Sequence, residues 1–140
     1  MLLETGYRLD DVMNIRIWQA GSRNIELQER KTGKRRSVPI SAELAAKIRT
    51  YAGNRHRFSF LFPALRRYGA KKMHRSTYWR HFMRAVHLAG FDDAGYSPHS
   101  LRKVYAVRLY KRTGDLYAVQ RDLNHTHLTT TMLYALSDVL

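Results

Sequence analysis

Residues 97–134 read SPHSLRKVYAVRLYKRTGDLYAVQRDLNHTHLTTTMLY, and their punctuation predicts three helices in succession. Ser97 is an N-cap residue followed by Pro98 at the first helical position. Behind it Leu101, Val104, Tyr105 and Leu109 recur at helical spacing. Asp115 caps a second helix whose apolar stripe, Leu116, Val119 and Leu123, stops just before Asn124 and His125. A last helix carries Thr129 to Leu136. His99 and Arg102, at i and i+3 in the first turns after Ser97, share one face while Leu101 points to the core. Free N–H groups and the helix dipole already favour an anion at such an end, so an imidazole and a guanidinium there build a phosphate clamp. A capped helix with a solvated arginine and a packed histidine explains the hexapeptide SPHSLR equally well.

Outward from this stretch the chain changes period twice. Leu9 to Ile17 has apolar residues at 9, 12, 13 and 17, a short helical stripe. From Asn24 the run NIELQERKTGKRRSVPI alternates at Ile25 and Leu27, breaks at Thr32-Gly33 and resumes at Val38 and Ile40. That is a β-hairpin with turn KTGK, and Pro39 marks an edge or strand end. Ser41 caps a helix with Leu44, Ile48, Tyr51 and Ala52 on its apolar face, and Ser76 caps another whose buried stripe is Trp79, Phe82, Met83 and Val86, ending near Gly90. RFSFLFPAL, at 57 to 65, is ambiguous between strand and loop. There is no repeat, low-complexity tract or linker, so one domain of mainly α structure with a small antiparallel β-hairpin, an α+β fold, is expected.

Composition narrows the partners. Twenty-five Lys and Arg against eleven Asp and Glu give a net charge of +14, an electrostatic footprint for a polyanion, most often nucleic acid. An anionic membrane would call for one amphipathic basic helix, whereas here the basic residues are spread over every segment. No apolar run approaches the roughly 18 residues of a membrane span, and the three apolar residues before Glu4 are too few for a signal sequence. Without cysteine there is neither a disulfide framework nor a thiolate zinc site, and a reducing compartment is permitted. His125 and His127, at i and i+2 with no third ligand, fall short of a metal site.

Several short motifs stand in a joint order: TGYR with Arg8, ERKTGK with Lys31, HSLR with His99 and Arg102, LNH with His125, and TTTMLY with Tyr134 nine residues after His125. In that order and spacing the chain resembles the catalytic domain of the tyrosine recombinases, the phage integrase family. Two motifs depart from the family's pattern: its T-G-L-R is TGYR here, and the glycine of L-G-H is Asn124. Neither departure removes a reacting group.

The resemblance implies a tyrosine recombinase catalytic-domain fold over residues 1–140. It also implies a chain truncated before Arg8 and lacking the N-terminal core-binding domain that clamps DNA, with SDVL after Leu136 too short for the tail that family members dock on a neighbour. It implies a DNA breaking and rejoining enzyme, a site-specific recombinase or integrase of the kind mobile elements carry. Tyr134 would attack a phosphodiester to give a 3′-phosphotyrosine and a free 5′-hydroxyl. Arg8 and Arg102 would hold the non-bridging oxygens. Lys31 would protonate the departing oxygen, with Lys34, Arg35 and Arg36 as neighbouring candidates that more naturally grip backbone phosphates. His99 is the candidate base for the phenol, and His125 would hydrogen-bond the phosphate.

Neither a cofactor nor a metal is expected. The implied partners are double-stranded DNA and, for the full-length protein, three further copies in a tetramer, in the cytoplasm on the nucleoid and away from membranes. A type IB topoisomerase uses a similar set of groups but relaxes supercoils without joining two sites; the short spacing from Arg102 to His125 to Tyr134 disfavours it. A non-catalytic DNA-binding relic would be expected to have lost at least one of the six residues, and all six are present.

Overall fold

The computed structural model describes residues 1–20, 23–65, 70–91 and 95–136. The expectation placed on the terminal SDVL lies outside these. The described elements follow the order α1 (Leu2–Thr5), α2 (Leu9–Val12), a 3₁₀ turn (Ile17–Ala20), β1 (Asn24–Gln28), β2 (Arg35–Pro39), α3 (Ala42–Ala52), α4 (Arg75–Leu88), α5 (Pro98–Thr113), α6 (Leu116–Leu123) and α7 (Leu128–Ala135).

β1 and β2 form the expected antiparallel hairpin, in register Ile25↔Val38 and Leu27↔Arg36. Ile25, Leu27, Val38 and Ile40 are buried, joining Tyr7, Ile15, Ile48 and Leu61 in a first hydrophobic cluster. A second, smaller cluster consists of Ala106, Leu109, Val119, Leu123 and Ala135 from α5, α6 and α7, with Tyr105 and Tyr134 packed against it. Where a side-chain oxygen was available the helix starts match the sequence reading. The Ser41 hydroxyl accepts from the Leu44 amide, Ser97 and Ser100 form a reciprocal capping box, and Asp115 accepts from the Tyr117 amide.

Three expectations need correcting. The stripe from Leu9 to Ile17 is helical only to Val12, because beyond it the backbone pairs with the segment before Pro63. Leu61 N–H donates to the Ile15 carbonyl at 2.8 Å, Ile17 N–H to Ser59 at 3.0 Å and Trp18 N–H to Arg57 at 2.9 Å. Those tertiary bonds also resolve RFSFLFPAL as an irregular strip held by an isolated bridge between Arg16 and Phe60. Next, α4 begins two residues earlier than its first serine suggests, since His74 is the N-cap and its Nδ1 accepts from the Ser76 amide. Finally, the α4 stripe is not buried: Trp79 is 43% exposed, while Phe82, Met83 and Val86 are half-covered.

Candidate active site

α1 ends at Gly6 in the left-handed conformation (φ 60°), which turns the chain inward so that Tyr7 is fully buried and Arg8 emerges as the N-cap of α2. The Tyr7 hydroxyl lies 2.9 Å from the Ile25 carbonyl and 2.7 Å from that of Arg36, and burial pushes its phenol well above the ordinary tyrosine range. Arg8 Nη1 donates to Glu29 Oε2 at 2.5 Å. Glu29, the residue after the end of β1, is completely buried.

Arg102 on α5 is 2% exposed, and its guanidinium ties three segments together. Nη1 donates to the Gly6 carbonyl and Nη2 to the Leu123 carbonyl at 2.7 Å. Nη2 is also 3.4 Å from His125 Nε2. Desolvation, reinforced by the nearby Arg8, lowers the Arg102 pKa to about 10, which still leaves the group charged at neutral pH.

His125 follows α6 because Asn124 adopts the left-handed conformation (φ 51°), the only non-glycine among the described residues to do so. Burial, then the charges of Arg102 and Arg8, lower the His125 pKa to about 4. The ring is therefore neutral near pH 7, and its tautomer follows from its partners. A guanidinium can only donate, so Nε2 must accept from Arg102. The ring proton then sits on Nδ1, 3.1 Å from the hydroxyl of Thr131, a residue with no exposed surface. With Nε2 so engaged, the His125 ring turns its proton toward Thr131. Thr131 is a site residue the sequence reading missed. Its signal was position: four residues before the buried Ala135, it is the inward member of the threonine run.

Tyr134, on α7, stands between the two histidines. Its hydroxyl is 3.4 Å from His99 Nδ1, and its ring meets those of His99 and His125 edge to face at 6.4 and 5.2 Å between centroids. Lys103 Nζ lies 5.8 Å from the ring centre. Burial and then the charges of Arg102, Arg75, Arg8 and Lys103 push the His99 pKa down, so its neutral form can accept a proton. Beside this group opens a cleft of about 570 Å³ whose walls include Arg8, His99 and Arg102 together with Asp10, Arg75 and Trp79.

The hairpin residues divide. Lys31 is exposed on the turn, close enough for its charge to lower the proton affinity of His125. Lys34 and Arg35 are exposed too, and each borders a depression shared with Arg121 and Asn124. Arg36 does not face solvent as expected of a residue gripping DNA phosphates. Its side chain is 7% exposed, and Nη2 donates to Asp122 Oδ2 and to the Thr5 carbonyl, each at 2.7 Å. Pairing opposite Leu27 and in phase with Val38, it points inward. Among the described residues no group of acidic and histidine side chains could hold a metal ion, and no helix is long and apolar enough to cross a membrane.

A helical domain with one hairpin, and a tyrosine between two histidines beside buried and half-buried arginines, has the fold of a tyrosine recombinase catalytic domain. The chain belongs to the phage integrase family, whose model matches residues 1–139. It is 31% identical over 142 residues to tyrosine recombinase XerD of Yersinia pestis, covering 96% of this chain and 46% of that protein. To tyrosine recombinase XerA of Pyrococcus furiosus it is 31% identical over 137 residues, covering 96% and 47%. The chain thus spans about half the length of the relatives it matches. The crystal structure of XerA recombinase superimposes with a TM-score of 0.78 at 25% identity, over 96% of this chain and 49% of that one. The catalytic domain of bacteriophage HP1 integrase gives 0.67 at 25% identity, over 96% and 69%. In fold, the chain also matches XerH site-specific recombinase bound to its difH substrate, with a TM-score of 0.76 at 21% identity over 95% and 40%.

Proposed function

We propose that residues 1–140 are the catalytic domain of a site-specific DNA recombinase that cuts and rejoins strands through a 3′-phosphotyrosine. The observation that carries this reading is the approach of the Tyr134 hydroxyl to 3.4 Å from Nδ1 of His99, beside the cleft bordered by Arg8 and Arg102. A phenol is mostly protonated at neutral pH and needs a base to attack phosphorus. His99 takes the proton as the Tyr134 oxygen bonds to the phosphorus. The 5′-oxygen leaves with the former P–O electron pair and receives a proton from Lys31. Attack by a 5′-hydroxyl reverses each step, so one phosphodiester is exchanged for another with no outside source of energy.

Arg8 and Arg102 neutralise the non-bridging oxygens, whose charge grows in the transition state. Gly6, Leu123 and Glu29 hold these guanidiniums in advance, which reduces the reorganisation left for the reaction itself. His125 acts on the phosphate through Arg102 rather than by touching it: Nε2 accepts from the guanidinium and Thr131 keeps the ring in that tautomer. Lys34 and Arg35 contact backbone phosphates beside the cut. The full-length protein would add a core-binding domain and act as a tetramer on two duplex sites in the nucleoid; the relatives, about twice as long as this chain, leave room for that added domain.

The test is a nicked suicide duplex carrying the protein's own recombination site, from which the fragment beyond the cut diffuses away. Incubation should trap a covalent DNA adduct, and Tyr134→Phe should abolish it. An adduct that persists in Tyr134→Phe would sink the assignment.

A further inference from the structure

Glu29, which in the proposed reaction holds the Arg8 guanidinium, also reaches the turn that carries Lys31, and that second contact has so far been given no task. It has no exposed surface, a costly place for a carboxylate unless cations and donors surround it. Its Oε2 accepts from Arg8 Nη1 at 2.5 Å and from the Thr32 hydroxyl at 3.2 Å. Its Oε1 has no hydrogen bond, only Arg36 Nη1 at 4.0 Å. All of its hydrogen bonding is therefore directed at one guanidinium and one turn.

That turn is the one that carries Lys31. Glu29 N–H donates to the Lys34 carbonyl at 2.9 Å and Gly33 N–H to the Glu29 carbonyl at 2.8 Å, closing the loop through backbone. The Thr32 hydroxyl that donates to Glu29 also accepts from the Lys34 amide at 3.3 Å. On the other side of Lys31, the Arg30 amide donates to Asp11 Oδ1 of α2 at 3.0 Å. Residues 30 and 32 are thus both fastened, while the Lys31 side chain between them is left exposed.

We propose that Glu29 is a positioning residue that clasps the Lys31 turn to Arg8, so that the leaving-group proton donor and a phosphate-holding guanidinium are presented to DNA as one unit. This rests on the recombinase reading and adds to it a coupling between two groups. Its chemical signature is specific. If the clasp acts by placing Lys31, breaking it at Thr32 should harm only the step in which the 5′-oxygen must be protonated, whereas loss of Glu29 also removes a partner of Arg8. A substrate with sulfur in place of that bridging oxygen departs as a thiolate, which is stable near neutral pH and needs no proton.

The experiment compares single-turnover cleavage of the ordinary and the sulfur-bridged suicide duplex by the full chain, by Lys31→Ala, by Glu29→Gln and by Thr32→Val. The last keeps every buried ion pair and removes only the clasp at a partly exposed position. On the ordinary duplex, Glu29→Gln and Thr32→Val should cleave about 10- to 100-fold more slowly, part of the 10²–10⁴ that a placed proton donor supplies. The sulfur substrate should restore Thr32→Val fully, as it should restore Lys31→Ala, and Glu29→Gln in part, since there Arg8 has also lost a partner. DNA affinity should be unchanged, or tighter in Glu29→Gln, where a negative charge beside Arg8 has been removed. Slow cleavage that sulfur does not restore, in Thr32→Val as in Glu29→Gln, would overturn the proposal. A wild-type chain that binds both duplexes and cuts neither would instead count against the recombinase reading. In that event amide exchange decides the clasp: the Gly33 and Lys34 N–H groups should exchange faster in Glu29→Gln and Thr32→Val, and unchanged exchange would show that Glu29 does not hold the turn.

Discussion

Holding His125 neutral has a thermodynamic consequence that can be measured without DNA. Its pKa is about 4 in the folded chain against an ordinary value of 6.5. Between those values the unfolded chain binds the proton and the folded chain does not, so stability rises with pH across the window. The contribution is complete above about pH 6.5 and is lost as pH falls toward 4. An interval of that size corresponds to about 3 kcal/mol. Because the ring is only half-buried, solvent screening reduces the expected effect to about 1–2 kcal/mol. His99, shifted the same way, adds to the slope in the wild type and in any variant alike, so the contrast must be made at position 125. His125→Gln keeps an oxygen that can accept from Arg102 but cannot titrate. Urea unfolding at pH 7.5, 6 and 4.5 should show the wild type losing about 1–2 kcal/mol more than His125→Gln, a midpoint difference of about 0.5–1 M at the m-values of small domains. Parallel curves, or a wild type that gains on His125→Gln as pH falls, would refute the neutral-ring geometry. Imidazole nitrogen shifts should place the proton on Nδ1.

Arg102→Lys keeps the charge and loses the planar fork that reaches both the Gly6 and Leu123 carbonyls. Losing about 3 kcal/mol of charge-assisted hydrogen bonding should lower the melting temperature by about 8–10 °C in calorimetry. Cleavage should fall about 10²–10³-fold while DNA binding changes little; equal losses in rate and binding would reduce Arg102 to a mere ligand contact. Gly6→Ala meets two penalties, a left-handed φ of 60° and a new methyl driven into the Tyr105 ring. Together these should cost about 2–4 kcal/mol in denaturant unfolding. Tyr105→Leu in the same chain should recover the packing share, and no recovery would mean that the backbone alone sets the cost.

Much of this fold could be read directly from residues that act locally. Alternation at Ile25, Leu27, Val38 and Ile40 is visible because a strand's faces repeat every second residue, and Ser41, Ser97 and Asp115 announce helices because their own oxygens cap them. What escaped depends on distant partners. Ile15 leaves the helical path because the Leu61 amide needs its carbonyl, and α4 starts early because an imidazole nitrogen replaces the usual hydroxyl cap. The candidate site shows the same division. Order and spacing along the chain single out Arg8, Lys31, His99, Arg102, His125 and Tyr134. Neither order nor spacing says that Arg102 is anchored by backbone carbonyls or that Glu29 stands behind Arg8. Arg36 was misread for want of one step: its phase with Val38 and Ile40 already turns it inward, where Asp122 and the Thr5 carbonyl meet it.

The two hydrophobic clusters divide the candidate site unequally. The hairpin and Tyr7, the neighbour of Arg8, belong to the larger one, while Tyr134 packs against the smaller, whose buried members are two alanines, two leucines and a valine. Free energies of local opening follow the apolar contacts that must be broken. The segment from Leu116 to Ala135 should therefore open before the rest of the domain melts, taking Tyr134 with it; under the recombinase reading, what stays folded would still hold a duplex but could not nick it. A recombinase built this way would have its blade on its least durable mounting, and on warming or damage would be disarmed before it let go.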